Sequence, residues 1–374
     1  MENPPPAAAA DSAATPPPES APAPAAGPAT AAPPCRRSSW KGCLIAAVVV
    51  ALCGLALLLL GGVGLVAALI WGATVGDIAK PAPVRQELIE GTMFAHKKIA
   101  VIEIKGVIRG GSLHDGATSE RICEELKAAE EDAAVVAVIL DMDTPGGEVT
   151  ASDEIHHAVC RLSDSGKPVV TCMRSMGASG GYFIAAASDH IIANRLTLTG
   201  SVGVIISTIN YAGLLDKIGV KDETYRSGAM KDMLNGGRAR TPAETEYVNG
   251  LVRKTFIEFA KVVAEGRADG YKDTDAVLKA PFADGRVLSG QDALDLKLVD
   301  ELGYFEDAVD AARDLGKAPD AKVVRFQRSM GLADLFFSMR SSLKPMGLLS
   351  LTQPDPAFQP RPGQLYYILP AYVP

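Results

Sequence analysis

Two continuous apolar runs, residues 134–140 and 168–173, constrain this chain more than any other feature. A strand with one wet face alternates apolar and polar residues. A strand that is apolar throughout must be covered on both faces, which is the condition of a parallel sheet between helices. Each run leads into a turn of small residues and then a helical pattern. After the first come Ile155, Val159 and Leu162 within a helix over 150–164, and after the second comes a helix over 182–187. Residues 98–105, 190–193, 202–207, 222–226 and 322–326 read as further strands, 106–116 as a loop and 197–200 as a turn. Helical spacing marks 118–131 through Ile122, Leu126 and Ala129, and also 210–218, 291–296 after Ser289, and 305–315. Thr241-Pro-Ala-Glu244 is a capping box with proline in the first turn, and it opens a long helix to about Gly266 striped by Val248, Leu251, Val252, Thr255, Phe259 and Val262. Strands alternating with helices predict an α/β domain built on crossover units.

The flanks are of another kind. Residues 1–34 hold 11 Pro and 13 Ala and almost no large apolar residue. Such a stretch cannot bury enough surface to fold, so residues 1–42 are expected to be a disordered Pro/Ala-rich tail. Residues 43–73 contain no charged side chain, long enough for one transmembrane helix and longer than the apolar core of a cleaved signal peptide. Trp40 and Trp71 bracket it, and Arg36, Arg37 and Lys41 crowd its N-terminal side, which orients the N-terminus to the cytoplasm and everything after residue 77 to the outside of the cytoplasmic (inner) membrane. Residues 74–97 read as a linker, 98–330 as one folded domain, and 331–374 as a Pro-rich C-terminal tail. The end of that tail, Leu365-Tyr-Tyr-Ile-Leu-Pro-Ala-Tyr-Val-Pro374, is strand-like and apolar, and is expected to dock near a groove or a subunit contact.

A net charge of −7 gives no nucleic-acid footprint. The six cysteines, Cys35, Cys43, Cys53, Cys123, Cys160 and Cys172, form no C-x-x-C pair, so free thiols are expected rather than a disulfide framework or a metal site. No cofactor motif is present.

The chemistry is expected where the second apolar run ends, at Met173-Arg-Ser-Met-Gly-Ala-Ser-Gly-Gly-Tyr182. Small neighbours let another backbone approach the Ser179 hydroxyl, and a helix start behind it supplies free N–H groups where an oxyanion forms. A serine nucleophile also needs a base. The histidines are His96, His114, His156, His157 and His190. His156 and His157 adjoin on one helix. His190 lies at the far end of the helix after Ser179, roughly 12 Å away or more at 1.5 Å per residue. A lysine is the other candidate. Free lysine titrates near 10.4, so it must be desolvated or set beside another cation to act, and activity should then rise with pH. Lys231 lies among Gly228, Ala229, Met230, Met233 and Leu234. The turn at Pro145-Gly146-Gly147 follows the first apolar run, so its N–H groups reach the same sheet edge as Ser179.

Five segments, in order, resemble the signal peptide peptidase A family in its short single-domain form: Asp143-Thr-Pro-Gly-Gly-Glu-Val149; Ala178-Ser-Gly-Gly-Tyr-Phe-Ile-Ala185; Thr197-Leu-Thr-Gly-Ser-Val-Gly-Val204; Arg226-Ser-Gly-Ala-Met-Lys-Asp232; and Gly285-Arg-Val-Leu-Ser-Gly-Gln-Asp-Ala-Leu294 with Leu298-Val-Asp-Glu-Leu-Gly303. The resemblance implies a Clp-protease/crotonase-like α/β domain after one N-terminal transmembrane helix. It implies a Ser/Lys dyad with Ser179 as nucleophile and Lys231 as general base, Ser201 orienting the lysine, and Gly147 and Gly180 forming the oxyanion hole. Ser175, four residues upstream, lacks the Ala-Ser-Gly-Gly context. The implied function is a membrane-anchored serine endopeptidase that degrades remnant signal peptides, prefers apolar stretches with small residues at the cut, and works as a homo-oligomeric ring, with the dyad formed either within one chain or with a neighbouring subunit. Two alternatives share the fold: a Clp-like membrane protease acting on a specific membrane protein, and a catalytically silent scaffold for apolar peptides. External placement argues against an acyl-CoA enzyme, which would lack coenzyme A there.

Overall fold

The computed structural model describes residues 44–45, 47–62, 84–111, 116–328 and 364–369. The chain divides into two units, Met1–Val75 and Gly76–Pro374. In the first, helix α1 (residues 44–45 and 47–62) carries only apolar side chains and glycine, and they are exposed, Leu58 at 75% for example. Among the described residues no helix is long and apolar enough to cross a membrane. The rest of the expected span, and the tail before it, lie outside the described residues.

The second unit runs β1 (Val84–Glu90), β2 (Lys98–Lys105), β3 (Ile108–Arg109), β4 (Ala117–Thr118), α2 (Ser119–Glu131), β5 (Val135–Thr144), β6 (Gly146–Glu148) and α3 (Val149–Asp164). There follow β7 (Val169–Ala178), α4 (Gly180–Ala185), β8 (His190–Ala193), β9 (Leu198–Gly200), α5 (Ala212–Ile218) and α6 (Pro242–Gly266). The last part holds α7 (Thr274–Leu278), β10 (Val287–Ser289), α8 (Gly290–Asp295), β11 (Glu301–Leu302), α9 (Phe305–Leu315), β12 (Lys322–Arg328) and β13 (Tyr366–Ile368).

The main sheet is ordered β1-β12-β2-β5-β7-β8-β11, and β9 pairs with both β7 and β10. Every pair from β12 to β11 is parallel, as the apolar runs require. Alternate residues feed two cores. Ala100, Ile102, Val138, Leu140 and Val169 pack with α2, α3 and α6 residues on one face. Ile99, Val101, Ala137, Ile139 and Val170 pack with Ala308, Val309 and Ala312 of α9 on the other. A second sheet, β13-β6-β3-β4, stands beside the C-terminal ends of β5 and β7.

The two central strands run further than the sequence implies. β5 continues through Asp141–Thr144, and β7 carries on past Met173 to the residue before Ser179. β7 changes partner on the way: Val170–Met173 pair with β8, and Met176–Ala178 pair with β9. This brings Gly177 opposite Thr144 and sets the turns after β5 and β7 side by side.

Some expectations fail for physical reasons. Residues 84–90, expected within the linker, form β1, an edge strand with six exposed residues, so its polar sequence carries no burial signal. Leu198–Gly200, expected as part of a turn, is β9. Residues 202–207 make no regular strand, and among the described residues their one ladder contact is Ile205 with Tyr366. Residues 222–226 are not a strand either; Asp222 accepts a hydrogen bond from Asn235 within a loop.

Candidate active site

Ser179 joins β7 to α4 with φ 53° and ψ −112°. Positive φ in a residue with a side chain costs about 1–3 kcal/mol and persists only where the surroundings fix it. Here they do. The Ser179 N–H donates to Gly200 O at 2.8 Å, and its carbonyl accepts from Phe183 N at 2.8 Å. All six residues of α4 are buried, and Tyr182 pins the helix by donating its hydroxyl to Leu298 O at 2.8 Å. Burial pushes that hydroxyl's pKa up. The Ser179 Oγ is itself buried and has no hydrogen-bond partner among the described residues. A buried hydroxyl left unpaired costs about 1–3 kcal/mol. The fold therefore holds one strained residue with one idle hydroxyl, a combination expected at a reacting centre.

Glycines let the backbones around it converge. Gly146 has φ +93°, and a methyl group on it would stand 2.6 Å from Gly180 N. One on Gly180 would stand 2.5 Å from Ser152 Oγ and 3.2 Å from Gly147 N. One on Gly147 would stand 1.9 Å from Ile108 O of β3. Thr144 fixes the turn between the strands, donating to Gly106 O at 2.6 Å while its hydroxyl accepts from Gly146 N at 3.1 Å. The expected donors Gly147 and Gly180 are thus brought together next to Ser179.

Ser201 follows Gly200, whose carbonyl receives the Ser179 N–H. It also has positive φ, 49°, it is buried, and its N–H donates to Arg286 O at 2.8 Å. It lines a cleft of about 500 Å³ with Val204, Ile205, Val252, Phe256 and Ile368.

Lys231 is not brought to Ser179. It lies in an exposed turn whose backbone closes through Lys231 N to Gly228 O at 3.1 Å. Its neighbours form a charge chain. Arg226 and Arg238 both donate to Asp232, at 2.6 and 2.8 Å, and Arg238 donates to Glu244 at 3.0 Å. Glu244 also accepts the Thr241 N–H at 2.8 Å, completing the capping box of α6. The two arginines hold the Asp232 carboxyl well below the usual range. Arg238 and the Thr241 N–H bring Glu244 from an ordinary value of 4.5 down to about 2. A carboxyl depressed by folding stabilises the fold above its unfolded pKa, and that contribution is lost as pH falls through its folded value. Protection of the amides across residues 226–244, taken relative to their intrinsic exchange rates, is accordingly expected to fall between about pH 5 and pH 2, and Glu244→Gln should flatten that dependence. A profile unchanged by Glu244→Gln would mean the chain of charges does not hold this segment.

The histidines fall elsewhere. His96 and His157 are exposed, and His114 is outside the described residues. His190 faces Glu301 at 3.3 Å. His156 packs against Phe183 with ring centroids 5.0 Å apart, and burial pushes its pKa down. None of the four described histidines partners the Ser179 Oγ. Cys123 and Cys172 are free thiols raised by burial to about 11 and about 12, poor nucleophiles at neutral pH. Ser175 is an exposed strand residue. The C-terminal residues, expected near a groove or a subunit contact, form β13 and pair with β6. Their seat against Gly146 and Gly147 has one signal in the sequence, the run of large apolar and aromatic residues Leu365-Tyr-Tyr-Ile-Leu369.

An unpaired serine hydroxyl beside two convergent backbone N–H groups suits acyl transfer, in which that oxygen attacks a carbonyl and the N–H groups take up the resulting charge. That chemistry is the province of serine hydrolases. The family model described as Peptidase family S49 matches residues 161–318. The chain is 38% identical over 249 residues to an Enterococcus faecium protein assigned the name signal peptide peptidase SppA, covering 64% of this chain and 71% of the relative. It is 31% identical over 230 residues to the chloroplastic serine protease SPPA of Arabidopsis thaliana, covering 60% of this chain and 33% of that one. Among solved structures it is similar to a ClpP1 variant from Listeria monocytogenes, with a TM-score of 0.37, 17% identity, and coverage of 56% of this chain and 94% of that chain. The chain belongs to the signal peptide peptidase A family of S49 peptidases and is a serine endopeptidase.

Proposed function

We propose that this Clp-like α/β domain uses Ser179 as its nucleophile and Lys231 of a neighbouring subunit as its general base. Gly147 and Gly180 hold the oxyanion, and Ser201 orients the lysine. The observation that carries the reading is the buried, unpartnered Ser179 Oγ on a strained strand-to-helix turn. An intersubunit base agrees with three features. Lys231 is exposed on its own chain, a cleft opens beside Ser201, and the arm bearing the lysine exposes Ile209, Leu214, Ile218, Val220, Tyr225 and Met230. Helix α5 buries none of its residues within the chain. Apolar residues gathered in this way mark a protein contact, and a ring of copies gives each arm a neighbour.

The substrates of this reading are extended apolar peptides, remnant signal peptides among them. The charge-free run 43–73, with Arg36, Arg37 and Lys41 before it, supports a single-pass anchor in the inner membrane with the N-terminus cytoplasmic and the peptidase domain outside. Exposed apolar side chains along α1 are in keeping with a lipid-facing helix.

The test uses the full-length chain in detergent with an apolar fluorogenic peptide. Lys231→Ala is expected to lower kcat by about 10²-fold or more at unchanged thermal midpoint, since the exposed side chain makes no hydrogen bond or ion pair among the described residues. Ser179→Ala and Lys231→Ala subunits, each inactive alone, are expected to regain activity when co-assembled. Failure of the mixture, with hetero-assembly verified, would place the base within the chain. Full activity in Lys231→Ala would remove lysine from the mechanism.

A further inference from the structure

The connection between β1 and β2, Gly91-Thr-Met-Phe-Ala-His-Lys97, exposes two adjacent large apolar side chains, Met93 at 76% and Phe94 at 90%. Its path is set by the sheet. β1 and β2 flank β12, so the chain must cross the start of that strand to pass from one to the other. The crossing is close. Gly91 has φ +93°, and a methyl group on it would stand 3.1 Å from the Lys322 Cα. The turn beyond it closes through Ala95 N–H, which donates to Thr92 O at 3.1 Å. Two bonds tie it to β12: Lys322 Nζ donates to Met93 O at 2.9 Å, and Lys322 N–H donates to Lys97 O at 3.2 Å. Met93 and Phe94 are thus held out in water by a backbone pinned at both ends. A single exposed apolar residue is ordinary, but an adjacent pair on a pinned tip marks a contact outside the chain.

Cations surround this tip. His96, Lys97 and Lys317 share a hollow of about 310 Å³ beside the turn, and Asp320 is the one acid lining it. Lys97 and Lys317 are exposed and make no ion pair among the described residues. The acid at the end of β1, Glu90, is already engaged by Arg313 at 2.8 Å. The patch is therefore locally basic on a chain whose net charge is −7. Apolar side chains at a tip, with ammonium groups behind them, match the two layers of a bilayer surface, hydrocarbon below and phosphate above. A folded protein partner would have to place an apolar pocket and acids at one spot, whereas an anionic bilayer offers both everywhere.

We propose that the turn 91–97 docks the peptidase domain on an anionic lipid surface, with Met93 and Phe94 entering the acyl region and Lys97 and Lys317 meeting lipid phosphates. The proposal rests on the membrane anchor of the proposed function, which supplies the bilayer. A single tip of two apolar residues binds weakly alone, and a covalent tether to the same bilayer makes it sufficient by raising the effective concentration. The strands β12, β2, β5 and β7 are parallel, so this tip lies where β2 begins and Ser179 lies where β7 finishes, at opposite ends of the sheet. Substitutions at the tip therefore leave the catalytic turns intact.

The test places the full-length chain in vesicles of phosphatidylglycerol and phosphatidylcholine and reads tryptophan fluorescence. Trp40→Phe and Trp71→Phe remove the two native tryptophans, so that Phe94→Trp is the sole reporter. Lipids brominated on the acyl chain are expected to quench it at least about twofold. Tyr247→Trp, at a half-exposed site on α6, is expected to stay unquenched in the same background. Lys97→Gln with Lys317→Gln, or vesicles of phosphatidylcholine alone, should remove half the quenching or more, and quenching indifferent to both would overturn the phosphate contact. Circular dichroism checks the fold of each variant. An unquenched Phe94→Trp in vesicles that keep the chain through a carbonate wash would overturn the proposal. So would a blue-shifted, unquenched emission that relaxes as copies per vesicle are diluted, which would assign the tip to a second copy of the chain. If the wash strips the chain from the vesicles, the anchor reading fails, and quenching before the wash still decides whether the tip meets lipid.

Discussion

Ser179→Ala is expected to lower kcat/KM for an apolar peptide by about 10⁴-fold or more, while leaving the chain at least as stable as the native one. The first half follows from losing the attacking oxygen, with only binding and oxyanion stabilisation left. The second is less usual. Alanine keeps the Cβ and so inherits the strain of φ 53° unchanged. It also removes a buried hydroxyl that has no partner, and relief of such a group returns up to about 1 kcal/mol. Thermal unfolding measured beside kinetics separates the two effects. A variant that lost activity through a lower midpoint would show Ser179 to be a structural residue. Retained turnover would move the nucleophile elsewhere.

Gly147→Ala is expected to be the most damaging conservative change near the site. The added methyl group meets Ile108 O at 1.9 Å, and a backbone oxygen in a paired strand cannot swing away as a side-chain end can. Either β3 or β6 must move, at a cost of about 1–3 kcal/mol for overpacking. Movement of β6 shifts the Gly147 N–H, and under the proposed function loss of one oxyanion donor costs on the order of 10²–10³ in kcat. The two readings diverge on repair. A stability loss alone would be cured by lower temperature, whereas a displaced donor would not. A Gly147→Ala chain with native midpoint and native kcat would contradict the close approach of these strands.

The sheet was legible wherever burial leaves a mark on composition. The first halves of β5 and β7 are predominantly apolar because both faces are covered, and α6 carries its capping box openly as Thr241 and Glu244. β1 was hidden because an exposed edge strand has no pattern to show. Residues 202–207 have strand-like composition, yet among the described residues their one ladder contact comes from the far end of the chain through Tyr366, and composition does not say which partner a strand will find. The site divides in the same way. Ser179, Gly147 and Gly180 sit on turns that directly follow the two apolar runs, so local sequence locates them. Lys231 sits on an exposed arm of the chain, and the side chains around it do not say where it is meant to reach. The seat of the tail was illegible because it depends on pairing between residues far apart along the chain.

The groove between β6 and Ile205 engages backbone on both sides, and that decides what can enter it. A helix has already spent its N–H and C=O groups on itself, and a folded sheet offers them only at its rim. A strand threaded here must arrive with both edges unspent and must have no proline at the ladder positions. The slot therefore sorts by conformation before it sorts by sequence. Under the proposed function, properly folded proteins pass by untouched, and chain that has lost its fold, or never had one, is admitted.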